Sequence, residues 1–177
     1  MKSKLTTIII IVSCLILLLA GCGRQTASSV DHVLEGVRSF IKGDVTGELN
    51  KSYSTQWFDF TIKSIKTAYS YAGYENNEGY KYVVVAISET NTFDEPIPMG
   101  TFDFYLTAEG LSEEDGLPYE PFDDRMMPSE FELAVGESVD YDLVFEIPDE
   151  IIDISFVYIE LDEEENVGAT FTIKHSL

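Results

Sequence analysis

Trp57-Phe58-Asp59-Phe60-Thr61-Ile62-Lys63 alternates apolar and polar side chains one by one. Phe58, Phe60 and Ile62 fall on one side of an extended chain, and Asp59, Thr61 and Lys63 on the other. That is the period of a strand with one face in a core and one in water. Downstream, Tyr80 to Ile87 (YKYVVVAI) is a nearly continuous apolar run, which predicts a central strand covered on both faces. Phe102, Phe104 and Leu106 alternate with Asp103 and Tyr105. Phe131 and Leu133 make a short strand before a turn at Val135-Gly136-Glu137. Val139, Tyr141, Leu143, Phe145 and Ile147 alternate with polar residues until Pro148 closes the strand. Ile154 to Leu161 and Ala169 to Ile173 supply two more. About seven strands with no helix among them predict an all-β fold, an antiparallel β-sandwich. Strand order does not follow from the pattern.

Upstream the period changes. Val30, Val33, Leu34, Val37, Phe40 and Ile41 recur at helical spacing, after Ser28 and Asp31 in capping positions and before Gly43 at the C-terminal end. A short amphipathic helix is therefore expected over residues 29–43. Its polar face lacks the basic enrichment of membrane-surface helices, so it is read as packing on its own domain or fraying near the anchor, ahead of a contact helix for a partner or the bilayer.

The first residues carry an address. Lys2 and Lys4 precede an uncharged apolar stretch from Leu5 to Ala20, too short to span a bilayer and suited to a signal peptide. It ends in Leu19-Ala20-Gly21-Cys22, which resembles the lipobox of bacterial lipoproteins. The resemblance implies cleavage before Cys22, with the Cys22 thiol accepting a diacylglyceryl group. Acyl chains contribute roughly 0.8 kcal/mol per buried CH₂, so two or three hold a protein firmly to a membrane. The expected organisation is a signal peptide over 1–21, a lipidated tether over 22–28, the helix over 29–43 and the sandwich over 44–177. The expected location is the outer face of the cell membrane. Cys14 would leave with the signal and Cys22 would be acylated, so the mature chain would keep no disulfide.

Charge narrows the partners. The full chain has a formal charge of −21, from 11 basic and 32 acidic residues. Loss of Lys2 and Lys4 leaves nine basic residues and a charge of −23. A field of that sign repels phosphate backbones and argues against nucleic acid as a partner. Ten Tyr and eleven Phe set the chain apart from acidic disordered tails.

The run from Tyr53 to Ile65 (YSTQWFDFTIKSI) resembles the opening of an Ig-like domain family of unknown function, widespread in lipoproteins of Gram-positive bacteria. Further marks of that family are met by Gly79 to Ile87, by Asn91 closing that strand, and by Leu133, Gly136, Glu137, Ser138, Val144, Phe145, Ile147 and Pro148. The resemblance covers about residues 44 to 164 and implies an Ig-like sandwich. Its motifs belong to a fold, so no catalytic or binding residue carries over.

Chemistry is sparse. His32 and His175 are the two histidines, neither near a nucleophile elbow, and the common hydrolase and phosphate-binding motifs are missing. A non-enzymatic binding or interaction module is the expected function, with a cell-wall hydrolase the weaker alternative. Two stretches are candidate sites. Tyr69, Tyr71 and Tyr74 lie in a Tyr-rich loop of the kind that recognises a protein or glycan partner. Asp162, Glu163, Glu164 and Asn166 form an acidic loop that could ligate calcium, which would make the chain a calcium-stabilised structural module of the envelope. The loop departs from the EF-hand pattern, since Gly168 falls at its seventh position and Ile173 at its twelfth. No other cofactor is expected.

Overall fold

A computed structural model describes residues 43–162 and 164–177. The signal peptide, Cys22, the tether and residues 29–42 of the expected helix lie outside the described residues. Gly43, expected to end that helix, instead opens a strand.

The strands in chain order are β1 (Gly43–Gly47), β2 (Ser52–Ser54), β3 (Phe58–Ala68), β4 (Ser70–Tyr71), β5 (Tyr74–Glu75) and β6 (Tyr80–Asn91). They continue with β7 (Ile97–Met99), β8 (Phe104–Thr107), β9 (Phe131–Leu133), β10 (Ser138–Pro148), β11 (Asp153–Leu161) and β12 (Val167–Ser176). One sheet runs β10-β6-β3-β2 and the other β1-β12-β11-β8. β4 and β5 form a small hairpin, and β7 and β9 a separate two-stranded ribbon. The chain is an all-β sandwich, as the alternation predicted. All seven expected strands are present, with two corrections. β1 pairs with β12 in parallel, so the sandwich is not wholly antiparallel. Phe102 lies in a 3-10 turn over Thr101–Asp103 and is 46 % exposed, where the alternation had placed it in a strand.

The inner faces meet over an aromatic core. Phe58, Phe60, Phe104, Phe145 and Phe156 are fully buried. Phe60 lies edge-on to Phe171 at 5.3 Å, and Phe104 stacks on Phe156 at 5.5 Å. Each such ring contributes roughly 1.5–3 kcal/mol by leaving water. Two bulges interrupt the strand pairing. The β3–β6 register slips between Ile62 and Ser64, so both Ile62 and Ile65 reach the core despite their odd spacing. A second slip lies between Ile159 and Leu161; Glu160, in step with the inward Phe156 and Tyr158, faces inside, where its carboxylate accepts from the Gln56 N–H at 2.6 Å.

β6 is the most protected strand. Its inward side chains at Val83, Val85 and Ile87 join the main core. Its outward Tyr82 and Val84 meet Tyr71, Phe122, Met126 and Val144 in a second, smaller cluster. The unbroken apolar run is thus covered on both sides.

Candidate functional site

The register places two poles. β3 ends and β6 begins at the Tyr-rich turn, so that turn caps one end of the sandwich. β3 starts, and β6 and β11 finish, at the opposite end. Gly43 lies level with Ala169 on β12, near the finish of β11, so the chain enters the sandwich at that second pole.

At the second pole a groove of about 580 Å³ opens between the 93–103 segment and the end of β11. Its walls are Trp57, Phe93, Phe102 and Tyr158, with Asp103 among them. Small-molecule pockets commonly span ~300–1,000 Å³. Each wall residue is fixed by the fold. Trp57 donates its indole N–H to the Leu161 carbonyl at 2.9 Å and lies edge-on to Phe93 at 4.8 Å. Asn91 anchors the segment that carries Phe93. Its amide donates to the carbonyls of Glu95 and Leu133, at 2.9 and 2.8 Å, and accepts from the Phe93 N–H at 2.8 Å. Asp103 is held by the Gly100 N–H at 2.8 Å. A Cβ on Gly100 would collide with the Ser129 carbonyl, so the approach of these two backbones requires glycine there.

Carboxyl groups collect behind the groove. Glu89 turns inward from β6 and is 1 % exposed, and neither of its oxygens has a hydrogen-bond partner among the described residues. Burial, and next the negative Asp103 nearby, push the Glu89 carboxyl up to about 8. Asp103 is itself raised by burial, partly offset by its bond from Gly100. Burial also raises the Tyr158 phenol, helped by the charges of Asp103, Glu160 and Glu89. Among the residues lining the groove are three acids (Glu95, Asp103 and Asp162) and no base.

At the first pole the three candidate tyrosines separate. Tyr69 and Tyr74 are 62 % and 58 % exposed, whereas Tyr71 is buried. The Tyr71 hydroxyl donates to Asp142 at 2.9 Å, and the Arg125 guanidinium sits 4.8 Å above its ring. Phe122, from the long 108–130 segment, contacts Tyr71, Tyr74 and Tyr119 edge-on. Glu146 secures the neighbouring turn, accepting from Asn77 twice and from the Tyr119 hydroxyl, each at 2.6 Å. Burial alone would raise that carboxyl, but these bonds outweigh it and hold Glu146 below its usual range.

In the acidic loop, Glu163 lies outside the described residues. The Asp162 carboxylate accepts from the backbone N–H groups of Glu164 and Asn166, at 2.9 and 2.8 Å, and from the Asn166 side chain. It therefore caps its own turn. No group of three or more metal-ligating side chains is gathered among the described residues. The hydrolase alternative gains nothing from His175. That residue pairs with the inward Ile154, whereas Ser155 alternates to the opposite face of the same sheet.

No protein-family model and no curated protein matches this chain. Its fold is similar to that of ycdA, a candidate lipoprotein of Bacillus subtilis subsp. subtilis, with a TM-score of 0.53 and 16 % identity. That match covers 71 % of this chain and 38 % of ycdA, so the chain spans well under half of that protein. An uncharacterized β-sandwich protein of Clostridium difficile aligns with a TM-score of 0.48 and 12 % identity, over 80 % of this chain and all of that one. At these identities the likeness to ycdA speaks to the fold alone.

Proposed function

We propose that the chain is a lipid-anchored, Ig-like binding module on the outer face of the cell membrane, with its ligand seat in the groove at the Gly43 pole. The observation that supports this reading is the groove itself. The sandwich leaves Trp57, Phe93 and Phe102 facing an open hollow of about 580 Å³. Aromatic walls with no Ser, Thr, Cys or His among the lining residues suit binding in preference to catalysis. The lipobox at Cys22 accounts for the anchor. Tyr69 and Tyr74, at the pole away from Gly43, provide a second surface for a protein or glycan partner.

Two measurements test the two halves of the reading. Fractionation of cells should find the chain with membranes, and Cys22→Ser should lose the acylated species by mass spectrometry. An unchanged mass after that substitution would sink the anchor. The sequence has a single tryptophan, Trp57, in the groove wall. Its emission should therefore change saturably with a groove ligand, and Phe93→Ala should weaken the response. A small-molecule screen in which every hit binds Phe93→Ala equally well places the seat elsewhere.

A further inference from the structure

We infer that the groove selects an organic cation with a compact apolar body, seated against Trp57, Phe93 and Tyr158 beside the Asp103 carboxylate, with the buried Glu89, outside the lining, reinforcing that charge. This rests on the groove being the ligand seat and adds the chemistry of its occupant.

The argument begins with Glu89. A carboxyl group taken out of water without a hydrogen bond is costly, and native folds rarely tolerate one. Glu89 is in step with the inward Val83, Val85 and Ile87, so the register that buries those residues buries Glu89 too. That register sets Glu89 between the apolar neighbours Phe60 on β3 and Val139 on β10. The ionisable groups coupled to it come from across the sandwich, Asp103 from the 3-10 turn and Tyr158 from β11, with Glu160 acting in turn on Tyr158. None of them is a cation. Glu160 is accounted for by its bond from Gln56, and Asp103 by its bond from Gly100. Glu89 alone remains uncompensated, within electrostatic reach of the two ionisable residues, Asp103 and Tyr158, that border the groove.

The walls complete the match. Aromatic faces favour a cation that carries its charge on an apolar body, and quaternary ammonium groups fit such surroundings. A bare divalent ion would need six to eight oxygens, and no such set is gathered among the described residues. An anion would meet Glu95, Asp103 and Asp162 with no basic side chain in the lining. The remaining complement is a small organic cation.

The test uses the full chain purified in a neutral detergent, with Trp57 emission as the readout. Benzyltrimethylammonium is the probe, benzyl alcohol its neutral counterpart and benzylsulfonate its anionic one. The ammonium should bind at least roughly tenfold more tightly than the alcohol, the sulfonate should not bind, and Asp103→Asn and Glu89→Gln should each cost about tenfold. The probe keeps its charge at all pH values, so its affinity should rise between about pH 6 and 9 as Glu89 ionises, and stay flat in Glu89→Gln. Equal affinity for the ammonium and the alcohol, or an unchanged Glu89→Gln, overturns the charge selection and leaves the seat standing. Silence of Trp57 toward both the ammonium and the alcohol overturns the seat together with its chemistry.

Discussion

At the scale of single residues, the buried carboxyl of Glu89 governs how stability depends on pH. Its folded value of about 8 lies above the ordinary 4.5, so between those two values the folded chain binds a proton that the unfolded chain has lost. Stability from this group is fully present below about pH 4.5 and is lost progressively as pH rises to about 8. The span corresponds to a penalty on the order of 3 kcal/mol at neutral pH. Glu89→Gln removes the ionisation and keeps the shape. Its melting temperature should match the parent near pH 5 and exceed it by several degrees at pH 8.5. Parallel pH profiles for the two proteins would show that Glu89 is solvated after all. Asn91 illustrates the opposite kind of residue. It was legible in the sequence as a strand-closing mark, and its three side-chain bonds now explain the mark. Glu89 was not legible, because a glutamate between Ser and Thr reads as the wet end of a strand. Its place on the inner face of β6, level with Phe60 on β3 and Val139 on β10, removes it from water, and that place is set by tertiary packing.

At the scale of elements, the β4–β5 hairpin is held by its outward contacts more than by its own two residue pairs. Tyr71 supplies those contacts through Phe122, Asp142 and the covering Arg125. Truncating a buried aromatic side chain costs about 3–5 kcal/mol. Tyr71→Ser should therefore lower the melting temperature by on the order of 10 °C, while Tyr69→Ser and Tyr74→Ser each change it by only about 1 °C. Thermal unfolding of the three single variants checks this, and an equal loss at all three positions would contradict the packing. A recognition test at this pole accordingly belongs on Tyr69 and Tyr74, with Tyr71 left intact. The strands themselves were readable, since two-residue alternation in β3 and β10 and the apolar run of β6 each follow from how much of a strand is covered. The short β2, β4, β5 and β7 were not, because two or three residues seldom register a period; β9, equally short, was legible only through the turn at Val135-Gly136-Glu137 that follows it. Phe102 misled for a related reason. Its spacing from Phe104 and Leu106 fits a strand, but the contact of Gly100 with Ser129 bends the chain into a 3-10 turn and puts the ring in the groove wall. The groove was therefore invisible to a reading of local pattern, assembled as it is from three separate stretches, at Trp57, over 93–105 and over 158–162.

At the scale of the whole molecule, an excess of 21 negative charges works against the compact state. The surface pairs Lys51–Glu48, Lys63–Asp140 and Arg125–Asp123 are exposed and relieve little of it. The acidic loops lie spread over the surface, and Asp162 is spent on its own turn. Cations should then stabilise the fold by screening, without a dedicated site. The Debye length falls from about 30 Å at 0.01 M salt to about 10 Å at 0.1 M, which is shorter than the distance between poles. Raising sodium chloride across that range should lift the melting temperature by a few degrees. Calcium and magnesium, compared at equal concentration and a fixed background of salt, should then give equal further shifts. A surplus for calcium alone, growing with its concentration as binding to the folded state requires, would instead assign the loop from Asp162 to Asn166 as its site. Loss of that surplus in Asp162→Asn would place the ion there. The two outcomes separate because screening depends on ionic charge alone, whereas a site that prefers calcium must supply oxygens at a spacing that magnesium cannot share.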